Sequence, residues 1–212
     1  MKRILLTTLT ILMLANIAFA APLGRASADF DNARPQKVET AFGRLAADAI
    51  RAATGADVAL INAGAFKAGV LRAGEVSASQ INALFSFPGD DIATITITGA
   101  QLRAALERAV QAYPTGSPAF LHGSGYTATF NTQAPTNDRL TMLRINGREV
   151  QNGDSISVAM PTPLVSGNSG YFTIWPDAKA TRTKISLSDA IGALFKARGT
   201  IAPDEAPRLA PQ

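Results

Sequence analysis

Apolar positions recur at helical spacing from Val38 onward. Val38, Phe42, Leu45, Ala46, Ala49, Ile50 and Ala53 fall on one face, and Gly55 is placed to end the helix. A short apolar run from Asp57 to Ile61 then has the length and composition of a buried strand. Ser77-Ala78-Ser79-Gln80 has the form of a capping box and predicts a helix carrying Ile81, Leu84 and Phe85. From Asp91 to Thr98 the period changes to two. Ala93, Ile95 and Ile97 alternate with Thr94 and Thr96, which predicts a strand with one apolar and one polar face. A second capping box, Thr98-Gly99-Ala100-Gln101, opens the clearest helix in the chain, with Leu102, Ala105, Leu106, Ala109, Val110 and Tyr113 on one stripe.

Beyond Pro114 the pattern is one of strands. Tyr126 to Asn131 and Leu140 to Ile145 both alternate, and Asn146-Gly147 is a hairpin turn. Asn152-Gly153-Asp154 is a further turn before a strand from Ser155 to Met160, which Pro161-Thr162-Pro163 breaks. Ser166 to Gly170 reads as a glycine-bearing loop, and Tyr171 to Trp175 as an aromatic strand. Ser188 is placed to cap a last helix with Ile191, Leu194 and Phe195, ended by Gly199. Residues 21–33 lack periodicity and read as a linker or arm, and residues 200–212 as a tail. Helices and strands first, then a run of strands, predict an α+β domain of layered helices and mixed β-sheets over residues 34–199.

The first twenty residues change the picture of the whole. Lys2-Arg3, an apolar stretch from Ile4 to about Ile17, and small residues at Ala18 and Ala20 make residues 1–20 a Sec-type signal peptide. The apolar stretch is short for a membrane span and no second one follows it. The expectation is a periplasmic or secreted protein with no membrane contact after signal cleavage. With Lys2 and Arg3 removed from the 20 basic residues, 18 face 16 acidic ones, a net of +2. Those charges are scattered and not interleaved with aromatics, so nucleic acid is not an expected partner. The chain has no cysteine and one histidine, His122, which excludes disulfides, thiolate chemistry and a histidine-rich metal centre built from this chain alone.

Candidate chemistry sits in loops. Asn62-Ala63-Gly64-Ala65-Phe66-Lys67 follows a buried strand with small residues that let a ligand approach backbone N–H groups, and Lys67 can meet an anionic oxygen. The plainer alternative is an ordinary turn with a solvated lysine. Ser166 to Tyr171 is either a polar lid ending in a stacking ring or a loop before a core strand. Phe87, in Phe87-Pro88-Gly89-Asp90, is either core or the other half of a stacking clamp. Arg44 stands one step off the apolar stripe of its helix, either to reach a phosphate or as a solvated charge. A serine-hydrolase reading of Ser169 with His122 fails on spacing, because the nucleophile elbow needs a glycine two residues away on each side. His122, between Leu121 and Gly123, reads as a structural histidine in a turn-like segment.

Taken together, these motifs resemble the C-terminal, substrate-binding domain of the 5′-nucleotidase family over about residues 34–175. Glu39 to Leu45 with Asp48 resembles its opening helix, and Ala56 to Lys67 its strand and Asn-x-Gly-x-x-Arg loop. Gly74 to Leu84 resembles the next helix. Phe87 to Asp90 resembles its Pro-Phe-Gly-Asn turn, Ile95 to Gly99 its Leu-Thr-Gly helix start, and Ser166 to Tyr171 its Gly-Gly-Asp-Gly-aromatic loop. The resemblance implies a nucleobase stacked between two aromatics, with arginines and an asparagine on sugar and phosphate. Carried over, Asn62, Lys67, Phe87, Asp90 and Tyr171 would line the pocket, with Arg44 on the phosphate side. The departures are Lys67 for arginine, Phe87-Pro88 for Pro-Phe, Asp90 for asparagine and Ser169 for aspartate. They point to altered ligand choice, towards a nucleoside.

The family's hydrolysis is performed by two divalent metals in an N-terminal metallophosphoesterase domain. One histidine and about a dozen residues of arm cannot supply those ligands. The resemblance therefore implies a stand-alone binding domain, with no cofactor or catalytic residue of its own, that takes a nucleotide or nucleoside and complements a separate metallophosphoesterase subunit. The alternatives are a degenerate domain kept for protein–protein contact and an enzyme acting by means the sequence does not display.

Overall fold

The computed structural model describes residues 21–176 and 178–212. The expected signal peptide lies outside them. The chain runs β1 (Gly24–Ala26), β2 (Phe30–Asn32), α1 (Ala41–Thr54), β3 (Val58–Asn62), β4 (Gly69–Leu71), β5 (Gly74–Val76), α2 (Ala78–Ala83), β6 (Asp91–Thr98) and α3 (Gly99–Val110). It continues through β7 (Leu121–Ser124), β8 (Thr127–Phe130), β9 (Leu140–Ile145), β10 (Arg148–Glu149), β11 (Ser155–Pro161) and the short α4 (Thr162–Val165). It closes with β12 (Thr181–Ser186), α5 (Leu187–Arg198), β13 (Thr200–Ile201) and β14 (Leu209–Pro211).

A mixed five-stranded sheet, ordered β12-β6-β11-β3-β7, divides the fold. β11 runs parallel to β3 and antiparallel to β6, and β3 runs antiparallel to β7. All five residues of β3 are buried, and the strand's period of two shares them between two cores. Ala59 and Ile61 face one side, where Phe42 and Ile50 of α1 pack with Phe85, Leu187 and Phe195. Val58 and Leu60 face the other, where Leu102 and Leu106 of α3 meet Ile95, Ile97, Leu143, Tyr171 and Trp175. A strand covered on both faces reads as a continuous apolar run, which is why the sequence displayed it so plainly.

The helix signals act as their chemistry requires. The Thr40 hydroxyl accepts the Gly43 N–H at 3.1 Å, so α1 opens at Ala41 and Val38 stays outside it. Gly55 closes the helix with φ 68°. Both capping boxes form, Ser77 with Gln80 and Thr98 with Gln101. Of the stretch from Gly74 to Leu84, only residues from Ala78 are helical, because β5 comes first. The last helix is capped by Ser186 rather than Ser188: the Ser186 hydroxyl accepts the Asp189 N–H at 3.1 Å.

Other expectations are corrected. The segment read as an arm supplies β1 and β2, and the segment read as a tail supplies β13 and β14. β1 lies between β13 and β5, and β14 extends the sheet ordered β10-β9-β8-β14. Tyr171 to Trp175 is a run of tight turns, in which the Ile174 N–H donates to the Tyr171 carbonyl at 2.9 Å. That spacing stacks the Tyr171 and Trp175 rings 5.1 Å apart and 8° from parallel. His122 lies in β7, paired with Ile61, not in a turn. Among the described residues, no helix is long and apolar enough to cross a membrane.

Candidate functional site

β3 ends at Asn62, and a turn of 3-10 helix over Ala63–Ala65 carries the chain away from the sheet. The Ala63 N–H donates to Phe120 and the Gly64 N–H to Pro118, which fixes this corner against the segment before β7. Asn62 is 5% exposed. Its amide nitrogen donates to the Pro118 carbonyl and to the Ser169 hydroxyl, each at 3.2 Å. One buried amide thus ties the first candidate loop to the last.

The turn Phe87-Pro88-Gly89-Asp90 faces that corner. The Asp90 N–H donates to the Phe87 carbonyl at 3.1 Å. The start of α5 holds the turn from outside: Leu187 N–H donates to Asp90, and the Ser188 N–H and hydroxyl both donate to Pro88 at 3.2 Å. Phe87 projects from this braced turn with 66% of its surface exposed.

Between the two lies a cavity of about 590 Å³. Asn62, Gly64, Phe87, Asp90 and Ser169 line it, and Pro118, Pro161 and Pro163 form rigid apolar walls. That volume falls within the range of about 300–1,000 Å³ common for small-molecule sites. Burial, and then the neighbouring Asp91 carboxylate, raise the pKa of Asp90 above its ordinary value.

Of the expected site residues, the structure gathers Asn62, Phe87 and Asp90 around the cavity and leaves Arg44, Lys67 and Tyr171 out of its lining. Arg44 is 6% exposed; it donates to the Asp204 carbonyl at 2.7 Å and pairs with the buried Glu39 at 3.9 Å. Its charge is committed to the core and the C-terminal segment. Lys67 is exposed, and its backbone bridges Leu84 and Asn32. Tyr171 has no exposed surface, and its hydroxyl donates to the Ala119 carbonyl at 2.6 Å.

The loop before Tyr171 explains its direction. Gly167, Ser169 and Gly170 all have positive φ, near 86°, 61° and 86°. At Gly170 a side chain would collide with Arg108, whose guanidinium donates twice to the Ser169 carbonyl, at 2.8 and 3.3 Å. Arg108 is thus a support of the site that sequence reading missed. It stands on α3 beside the apolar stripe, and its partner lies 61 residues away. Of the wall prolines, Pro161 and Pro163 were visible only as strand breakers, and Pro118 carried no signal.

An α+β domain with an aromatic-lipped, amide-floored cavity is the class of structure in hand. The sequence matches the family described as 5′-nucleotidase, C-terminal domain, over residues 17–175, and the chain belongs to that family. The match begins ahead of the expected residue 34. The trifunctional nucleotide phosphoesterase protein YfkN of Bacillus subtilis (strain 168) is 28% identical over 158 residues, covering 73% of this chain and 10% of that protein. The fold matches a 5′-nucleotidase precursor from Thermus thermophilus at a TM-score of 0.83 and 18% identity, over 90% of this chain and 39% of that one. It matches the NAD nucleotidase NadN of Haemophilus influenzae at 0.78 and 18% identity, over 91% and 38%. The chain therefore spans about a tenth of the curated relative and about two fifths of these solved structures. Among the described residues, no group of three or more His, Asp or Glu side chains is placed to hold a metal ion.

Proposed function

We propose that this domain binds a nucleotide or nucleoside in the cavity between the Asn62 corner and the Phe87–Asp90 turn. The observation that carries the reading is Phe87: a large aromatic side chain left 66% exposed on the lip of a nucleoside-sized cavity. A ring held out in water by a braced turn offers a stacking face, and stacking of a base on an aromatic is worth about 1–3 kcal/mol. Asn62 and Asp90 supply polar contacts at its edge. Membership in the 5′-nucleotidase C-terminal domain family supports the same ligand class. For a nucleotide ligand, the domain would present it to a metallophosphoesterase subunit, which supplies the two-metal hydrolysis; a nucleoside would be held as the product of that step. Residues 1–20 direct its export to the periplasm or beyond.

Calorimetric titration of the purified protein with AMP, adenosine and UMP, without and with a divalent cation, tests the binding. Saturable, metal-independent binding that Phe87→Ala weakens is the expected result. The second reading, a surface for protein contact, draws on Phe172, which is 64% exposed. A folded protein that binds none of the three ligands would favour it. Export is tested by N-terminal sequencing of the secreted protein, expected to begin at Ala21.

A further inference from the structure

The charge of the cavity's lining is one-sided, and that bears on the ligand. None of the residues lining it is a lysine or arginine, and Asp90 is the one acid among them. The amide nitrogen of Asn62 is already spent on Pro118 and Ser169. Its Oδ1 remains, an acceptor without a partner among the described residues. No side chain or backbone N–H among those residues donates to the Asp90 carboxylate either. An ionised carboxylate accepts and cannot donate. Asn168 and Ser169 add an amide and a hydroxyl to the lining, each able to donate. What sets the cavity apart, beside Phe87, is one negative charge with no cation in the lining to balance it and a carboxylate whose acceptors are free among the described residues.

We propose that the occupant is a flat ring bearing two adjacent N–H donors on one edge, as guanine does, taken as the nucleoside or free base rather than as a phosphate ester. This rests on the reading of the cavity as a nucleoside site. The two oxygens of a carboxylate meet two parallel N–H groups as they meet an arginine fork, with charge-assisted bonds. Guanine presents such a pair, its ring N1–H and its exocyclic amino group. Hypoxanthine keeps the first and lacks the second. Adenine sets ring acceptors beside its amino group, and uracil sets a single N–H between two carbonyls. A phosphate brings more negative charge to a cavity that has no cation to receive it. The charge on Asp90 is also kept where burial and Asp91 disfavour it, as expected of a group retained for a ligand rather than for the fold.

The test is titration of the full protein and of Asp90→Asn with guanosine, inosine, adenosine and GMP. The expected order is guanosine, then inosine, then adenosine, with guanosine ahead of adenosine by roughly tenfold to a hundredfold. GMP should bind no more tightly than guanosine. Asn presents one acceptor and one donor, the pattern that suits adenine, so Asp90→Asn should erase or reverse the guanosine preference. A merely structural role for Asp90 would lower all affinities together and leave their ratio alone. Equal affinities for guanosine and adenosine, or an unchanged ratio in Asp90→Asn, would overturn the donor-edge assignment while leaving nucleoside binding in place. Tighter binding of GMP than of guanosine would overturn the exclusion of phosphate. Failure of every one of these ligands to bind the folded protein would remove the nucleoside site itself.

Discussion

Phe87 and Tyr171 occupy comparable places in the chain, each an aromatic beside a glycine-bearing turn, and the fold uses them in opposite ways. Phe87 stands out in solvent from a turn pinned by Leu187 and Ser188. Tyr171 is driven inward by the left-handed positions at Gly167, Ser169 and Gly170 and by Arg108 beneath the loop. There it stacks on Trp175 and spends its hydroxyl on Ala119. Backbone geometry, not residue type, decides whether an aromatic is buried in the core or stands exposed at the cavity. The comparison can be broken by removing each ring in turn. Tyr171→Ala should lower stability by about 3–5 kcal/mol, the cost of deleting a large buried ring, read as the urea midpoint. A loss below about 1 kcal/mol would show the ring to be more open than the structure places it.

His122 sharpens the same contrast, since it too was a candidate for chemistry and is core instead. Its ring receives the Thr40 N–H on Nδ1 at 3.4 Å, and its Nε2 faces the Pro35 carbonyl at 2.9 Å. Burial holds its pKa down at about 4, from 6.5. As pH falls through 6.5 the unfolded chain takes up a proton that the native chain refuses until about pH 4. Stability is therefore lost progressively across that window. Glu39, raised by burial, acts in the opposite sense, so the test is a difference between proteins. Between pH 6.5 and pH 5 the wild type should lose between about 1 and 2 kcal/mol more than His122→Gln. Equal slopes would mean that His122 is protonated in the native state.

Phe87→Ala is the counterpart to the loss of Tyr171. An exposed ring takes little packing with it, so stability should stay within about 0.5 kcal/mol. Affinity for a bound nucleoside should fall by roughly tenfold to a hundredfold. A large fall in the urea midpoint, with affinity unchanged, would exchange the roles assigned to the two aromatics.

The parts of this architecture that were legible in the sequence are those encoded locally. Thr98 and Gln101 are three residues apart and cap one another, and the apolar run of β3 is visible because both its faces are covered. Among the missed strands, β1, β2, β13 and β14 have two or three residues each, too few to display a period, and the six-residue β12 is an edge strand whose one apolar residue is Ile185. Their partners are remote: Arg25 pairs with Thr200 and Leu209 with Ala128. The site divides in the same way. Asn62 and the turn from Phe87 to Asp90 could be read because strand ends and Pro-Gly turns announce themselves. The direction of Tyr171 depended on left-handed torsions at Ser169 and on Arg108. Arg44 depended on Asp204, 160 residues on. No local pattern carries such contacts.

The smallest effect is expected at Asp90, and its sign is what matters. Asp90 shares the braced turn with Phe87, and burial and Asp91 raise its pKa. A carboxyl whose pKa is raised by folding is ionised at a cost to the native state, and that cost disappears as pH falls through the raised value. Asp90→Asn removes the charge without changing the side chain's shape. Its Tm at pH 7 should equal or exceed that of the wild type, and the two should converge as the pH is lowered. A clear drop in Tm would show that the carboxylate holds the turn together and would move Asp90 to the side of Tyr171. An unchanged or higher Tm, together with an altered ligand preference, would place Asp90 with Phe87, among the residues that the fold carries for its ligand.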